Sequence, residues 1–280
     1  MIAGASFERL GAAEPASPVI VSVPHAGRDY PPALLAALRV PAGALLALED
    51  RHIDAVARSA VGARTALIAR RARAWIDLNR GEDERDPRVD EGALGRPVRS
   101  AKVRGGLGLV PRRAASASEL WRRRFDDREI GARITEDHRP YHSELAAALV
   151  RAQARFGVAV LLDLHSMPSL GPGQARVVVG DRFGRAALPR FVARVEAAAM
   201  AAGHRVARNT PYAGGHILER HGRPGRGIHA VQVELDRSLY LDPALDRPGS
   251  GLAATASLVA AMLAALEDEV SACTFAQAAE

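Results

Sequence analysis

Short apolar runs alternate along this chain with longer stretches of helical periodicity. Val19-Ile20-Val21-Ser22-Val23, Val158-Ala159-Val160-Leu161-Leu162 and His229-Ala230-Val231-Gln232-Val233 are nearly unbroken in apolar character. Such runs predict strands covered on both faces, as in a parallel sheet. Weaker strand signals cover Thr65 to Ala69, Ala74 to Leu78, Ala175 to Val179 and His204 to Ala207. Helical patterns cover Gly43 to Gly62, Arg185 to Ala202 and Gly251 to Val270. Another helix is predicted from the capping-box spacing Ser116-Ala117-Ser118-Glu119 to His138, stopping before Pro140 and resuming from Tyr141 to Phe156. Gly81 to Pro111 and the glycine-rich Asn209 to Gly227 read as long loops beside a site. Alternating strands and helices, with no repeat and no linker, predict one α/β domain over residues 1–280: a mixed, mostly parallel sheet with helices on both faces.

The polar residues that close the apolar runs carry the candidate chemistry. Open α/β sheets gather their sites at the carboxyl edges of the strands. The first run leads into Pro24-His25-Ala26-Gly27, the second into Asp163-Leu164-His165-Ser166, and the third into Glu234-Leu235-Asp236. Two imidazoles and a carboxylate are parts of a zinc hydrolase site. A third ligand is needed, and Glu49, Asp50 and Asp54 all offer a carboxylate; Asp50, one helical turn from Asp54, is our choice. The alternative reading of these acids is an ordinary acidic first turn.

Glu234 interrupts an otherwise apolar strand and suits a general base, or else a structural salt bridge with Arg237 or Arg80. Asn79-Arg80 follows a predicted strand, and Arg80 with Arg73 would suit a substrate bearing carboxylates, since guanidinium forks bind them in two places. His138 and His142 have helical zinc-pair spacing, but Pro140 lies between them, and His142 is read as a substrate contact or a neighbour of one. Ser166 lacks the Gly-x-Ser-x-Gly setting of a nucleophile, and Gly214-Gly215 and Gly222 to Gly227 do not form a phosphate-cradling loop.

Composition narrows the class further. With 48% hydrophobic residues, the 280-residue chain can bury a sizeable core, yet no apolar run is long enough to span a membrane. Cys273 is the only cysteine, which excludes an internal disulfide and argues against a thiolate metal site. The net charge of +6 comes from scattered arginines; Arg122-Arg123-Arg124 sits beside Asp126, Asp127 and Glu129, as on a solvated helix face, and no nucleic-acid partner is expected. The first fifteen residues lack an export pattern, so a cytoplasmic location is expected.

Taken together, the motifs resemble the N-formylglutamate amidohydrolases, which share a fold with zinc carboxypeptidases and aspartoacylase-like enzymes. The resemblance runs from Ser22-Val23-Pro24-His25-Ala26-Gly27-Arg28-Asp29-Tyr30-Pro31 through Glu49-Asp50, Asp54, Ile76-Asp77-Leu78-Asn79-Arg80, Tyr141-His142, Asp163-Leu164-His165-Ser166 and Gly214-Gly215-His216 to Gln232-Val233-Glu234-Leu235-Asp236-Arg237-Ser238-Leu239-Tyr240. It implies a zinc ion, or another divalent transition metal, held by His25, Asp50 and His165, with Glu234 as base and Asn79-Arg80 gripping a substrate carboxylate. It also implies release of formate from N-formyl-L-glutamate in amino-acid degradation, that of histidine. Zinc carboxypeptidases draw their first ligands from His-x-x-Glu, whereas Arg28 stands at the glutamate's place here, so the carboxylate comes from elsewhere. Two alternatives stand beside this reading. One is a deacylase of another N-acyl amino acid or small peptide, with His216 and the Gly81 to Pro111 loop tuning selection; the other is a basic binding domain with a vestigial site.

Overall fold

The computed structural model describes residues 5–95, 100–114 and 119–278, with side chains as far as residue 272. Its strands are β1 (Phe7–Leu10), β2 (Val19–Val23), β3 (Thr65–Ala69), β4 (Ala159–Met167), β5 (Val177–Gly180), β6 (Val206–Arg208) and β7 (Ile228–Asp236). Its helices are α1 (Pro32–Ala36), α2 (Ile53–Ala60), α3 (Ala101–Arg104), α4 (Asp127–Arg133), α5 (Arg139–Phe156), α6 (Pro189–Ala201), α7 (His216–His221) and α8 (Leu252–Ala278). Among the described residues no helix is long and apolar enough to cross a membrane.

The strands form one mixed, mostly parallel sheet in the order β1-β3-β2-β4-β7-β5-β6. β4 lies parallel to both β2 and β7, β6 is parallel to β5, and β5 runs antiparallel to β7. All residues of β2 and β4, and all but the first of β7, are buried, which is why these strands read as unbroken apolar runs. The predicted fold class therefore holds.

The chain divides into two compact units, each drawn from three stretches of sequence. The first comprises Met1–Glu8, Pro24–Glu49 and Ile68–Glu144; the second comprises Arg9–Val23, Asp50–Leu67 and Leu145–Glu280. In the second unit α8 packs against α2 and α6 through Val259, Met262, Leu263 and Leu266, which are fully buried. Register in this unit matters most for chemistry: His165 of β4 pairs with Glu234 of β7, Asp163 with Gln232, and Ser22 of β2 with Asp163. Residues paired across parallel strands share a face, and residues two apart on a strand do too. One face of the sheet thus carries Ser22, Asp163, His165, Gln232 and Glu234 as a buried polar plaque.

The first unit is loop-rich, and its loop Arg73–Arg80 is held by the α4–α5 run and by the backbone of Leu107 and Leu109. Ala74 to Leu78 is not the predicted strand. The Trp75 N–H turns back to Ala72 O and the Asp77 carboxylate accepts the Asn79 N–H at 2.8 Å, so local bonds bend the backbone out of any ladder. The Arg133 guanidinium lies between the Trp75 and Phe125 rings, 3.8 and 4.1 Å from their centroids, and donates to Trp75 O at 3.0 Å. Burial draws Arg133 down to about 10, which leaves it charged at neutral pH.

Several other predicted boundaries move. The helix does not stop at Pro140. A π turn over Ile134–His138 joins α4 to α5, with the Arg139 N–H bonded to Ile134 O five residues back, and the wider turn accommodates the proline that an α-helix interior would reject. Its start is set by a capping box at Asp126 and Glu129; the Ser116 to Glu119 box falls largely outside the described residues. Gly43 to Gly62 is broken too: a 3₁₀ turn over Ala42–Leu48 ends at an extended Glu49, and α2 begins only at Ile53 after His52 in the left-handed region, φ 55°. β4 and β7 run past the predicted ends, so His165 and Glu234 sit within strands. The Asn209 to Gly227 loop contains α7.

Candidate active site

In the second unit, His165 is clasped by two carboxylates. Its Nδ1 lies 3.1 Å from Asp50 Oδ2 and its Nε2 lies 2.9 Å from Asp163 Oδ2, while the Ser22 hydroxyl donates to the other oxygen of Asp163 at 2.7 Å. All four side chains are buried. Burial disfavours a charged imidazole, but the Asp163 and Asp50 carboxylates and Glu234 outweigh it and hold His165 well above the usual histidine range. With Nε2 on Asp163, Nδ1 is the ring atom that faces Asp50, and Asp50 and His165 offer ligand atoms within 4.8 Å of one another. The Asp50 oxygen away from His165 faces Arg237 Nη2 at 3.4 Å, and Arg237 Nε faces Ser166 Oγ at 3.3 Å. Asp50 precedes α2 instead of lying on its face, so the predicted one-turn relation to Asp54 does not hold; Asp54 occupies the first turn of α2. On β7, Gln232 donates to Glu234 Oε1 at 3.0 Å and accepts the Gly215 N–H at 3.2 Å. Ser166 is buried among these groups as a hydrogen-bonding residue.

In the first unit, His25 is oriented in a parallel way. Its Nε2 donates to Asp77 Oδ1 at 2.7 Å, and Arg73 Nε donates to Asp77 Oδ2 at 2.8 Å. Burial would raise the Asp77 pKa, but Arg73, His25 and Arg80 hold it well below the usual carboxylate range, so Asp77 is ionised and accepts every one of these bonds. With Nε2 turned to Asp77, Nδ1 is the atom His25 would offer a metal, the arrangement in which a carboxylate fixes the ring of a metal-binding histidine. The Ala26-Gly27 turn approaches protein backbone and not a ligand: a Cβ on Gly27 would lie 1.9 Å from Arg71 O. Glu49 accepts a short hydrogen bond from the Tyr30 hydroxyl, which separates its role from that of Asp50.

Arg80 is buried, donating from Nε to Leu107 O at 2.8 Å and from Nη1 to Asn79 O at 2.6 Å, bonds that leave Nη2 for another acceptor. His142 is buried as well, with Nε2 on Leu78 O at 2.9 Å, and Arg73 is engaged by Asp77. His216 opens α7. Asp77, Asp163 and Gln232 carry no role in the sequence reading, and Arg237 entered it only as a salt-bridge partner of Glu234, whereas in the structure it faces Asp50 and Ser166. Asp163 and Gln232 each stand two residues before a candidate on the same strand, a spacing that marks them as same-face neighbours; Asp77 lies in an irregular loop, where spacing carries no such signal. Elsewhere, Arg123 pairs with Glu129 at 2.6 Å and the exposed Arg124 lies 3.8 Å from Glu91, so the basic cluster is solvated as predicted, but it lies in the bend before α4 and not on a helix face. A cavity of about 620 Å³ at the amino ends of β2 and β4, lined by Ser17, Arg155 and Glu267, contains none of the candidate residues.

Fold and side chains together describe an α/β protein that buries imidazole and carboxylate groups on one face of a mostly parallel sheet. The sequence model of the N-formylglutamate amidohydrolase family matches residues 17–241, and the chain belongs to that family of amide-bond hydrolases. It is 33% identical over 235 residues, 80% of this chain and 82% of the relative, to N-formylglutamate deformylase of Pseudomonas aeruginosa, and 31% identical over the same shares to that of Pseudomonas putida. The crystal structure of N-formylglutamate amidohydrolase from Ralstonia eutropha JMP134 is similar with a TM-score of 0.86 at 31% identity, covering 95% of this chain and 99% of that one.

Proposed function

We propose that this chain is a zinc-dependent amidohydrolase that cleaves the formyl amide of N-formyl-L-glutamate with water, giving formate and L-glutamate, in the degradation of histidine. The observation that carries the reading is His165 fixed between Asp50 and Asp163 in β4, with Glu234 paired to it in register on β7. The names of the relatives at 31–33% identity support the substrate, and the family match across 17–241, which includes residues of both units, supports treating the chain as one amidohydrolase domain.

His25, Asp50 and His165 would hold the zinc ion, each histidine aimed by an aspartate on its Nε2. When bound, zinc supplies Lewis acidity toward the attacking water and the formyl oxygen. Glu234, held by Gln232, takes a proton from that water and returns it to the departing amine nitrogen. Arg80 Nη2 and Asn79 hold substrate carboxylate, while Arg73 acts through Asp77. The partner is a small carboxylate-bearing N-acyl amino acid. Turnover of N-formyl-L-glutamate beside N-acetyl-glutamate and N-formyl-aspartate tests the substrate; a preference for another member of that panel would replace it.

A further inference from the structure

We infer that His138 and His142 are positioning residues that set the substrate-binding Asn79–Arg80 turn, a role that rests on the proposed carboxylate contact of Arg80. The two imidazoles project from one continuous helical run. His142 Nε2 donates to Leu78 O at 2.9 Å and His138 Nε2 donates to Arg80 O at 2.8 Å. The carbonyls on either side of Asn79 are therefore both bound by side chains of one helical run, whose rings lie with centroids 4.4 Å apart and planes inclined at 48°. Both histidines are fully buried, so the bonds are made out of water, where a lost partner is costly to the carbonyl left behind.

The π turn is what makes the pair possible. Without it, Pro140 would end the helix between the two histidines; with it, the same run also brings Asp137 to Trp75 Nε1 at 2.6 Å and Arg133 to Trp75 O. Residues 75, 78 and 80 of the loop are thus bound to residues 133, 137, 142 and 138 of one rigid element. The loop has no ladder of its own, and Asn79 O is already spent on Arg80 Nη1. Leu109 O accepts the Asp77 N–H at 2.7 Å and Leu107 O accepts Arg80 Nε at 2.8 Å, and the helix fixes the turn from the other end by taking the carbonyls on both sides of Asn79, so the direction of the Arg80 fork depends on both. π turns inserted in helices often mark functional sites, and here the insertion has an identifiable task.

The test compares kcat/KM for N-formyl-L-glutamate with that for two analogues in which one carboxylate at a time, side-chain or α, is replaced by carboxamide. Arg80→Met identifies which carboxylate the guanidinium reads, by abolishing one of the two preferences. His138→Met and His142→Met fill the same space without a donor and are expected to reduce that same preference about tenfold, since small displacements of a positioning group are costly. His138→Gln and His142→Gln keep an Nε2–H for the carbonyl and should restore most of it. Equal loss of kcat/KM on all three substrates in the Met variants, with the preference intact, would reduce the histidines to general packing and overturn the inference. An Arg80→Met enzyme that keeps both preferences would instead overturn the carboxylate contact itself, and the inference with it.

Discussion

Asp77→Asn changes one oxygen to an amide at the point where three bonds converge. Asp77 is fully buried; Oδ1 accepts His25 Nε2 at 2.7 Å and the Asn79 N–H at 2.8 Å, and Oδ2 accepts Arg73 Nε at 2.8 Å. Asparagine has one acceptor oxygen. If that oxygen stays with His25 and Asn79, the new NH₂ faces the Arg73 guanidinium; if it turns to Arg73, His25 loses its anchor. Breaking a fully buried ion pair costs about 3–5 kcal/mol. The Arg73 side chain is 17% exposed and regains some solvent, so about 2–3 kcal/mol of stability is the expected loss at neutral pH. The loss should shrink in acid. The folded-state pKa of Asp77 is depressed, so its contribution is present above its ordinary 3.8 and disappears as pH falls through the folded value; urea-unfolding curves of the two proteins should converge there. His25 orientation has its own readout: loss of a carboxylate behind a metal-binding histidine lowers affinity about 10–100-fold, about 1.4–2.7 kcal/mol, measurable by competing zinc against a chromophoric chelator. A variant with wild-type zinc affinity and unchanged stability at pH 7 would refute the reasoning.

Other expectations follow from single contacts. His229 stacks on Phe191 at 4.3 Å, and burial followed by the nearby Arg190 lowers its pKa to about 4, so it is neutral when folded and stability falls as pH drops from about 6.5 to about 4. His229→Phe should remove about 2 kcal/mol of that acid sensitivity in thermal melts across this window, after allowance for solvent screening; an unchanged slope would argue against it. Gly27→Ala must displace the Arg71 carbonyl, and with it the His25 turn, so loss of both stability and zinc affinity is predicted, whereas Gly43→Ala, where a Cβ meets open space, should be silent in both assays. Metal-free His165 is held above the ordinary 6.5, so zinc must displace its proton, and affinity should fall about tenfold per pH unit toward acid; Asp163→Asn should flatten that dependence in a pH series of zinc titrations.

The parts of this site that could be read from sequence are those in which a polar residue interrupts an apolar strand. His165 and Glu234 stand out because the residues around them in β4 and β7 are apolar and buried, and burial of an imidazole or carboxylate requires a partner. The partners were harder to see. Gln232 and Asp163 follow from strand alternation, but the Asp77 contact to His25 spans 52 positions and depends on a loop shape set by side chains of α4 and the π turn. That same loop read as a strand because Trp75, Ile76 and Leu78 are apolar; Ile76 and Leu78 are buried there without a strand ladder, and Trp75 packs against Arg133 and bonds to Asp137. Pro140 misled for a related reason, since a residue that disfavours α-helix is compatible with the wider turn before it. The break at Glu49 to His52 likewise depends on tertiary pulls on two acids, Glu49 bonded to Tyr30 and Asp50 to His165, which no local preference specifies.

The central claim is metal-assisted hydrolysis of a formyl amide with Glu234 as the base. Formate release from N-formyl-L-glutamate, measured for the wild type and for Glu234→Gln before and after chelation and zinc return, tests it most directly. The account predicts that chelation abolishes formate release and zinc restores it, and that Glu234→Gln lowers kcat at least about a hundredfold while retaining full zinc content. Formate release that survives complete removal of metal, or a Glu234→Gln enzyme as fast as wild type, would contradict it.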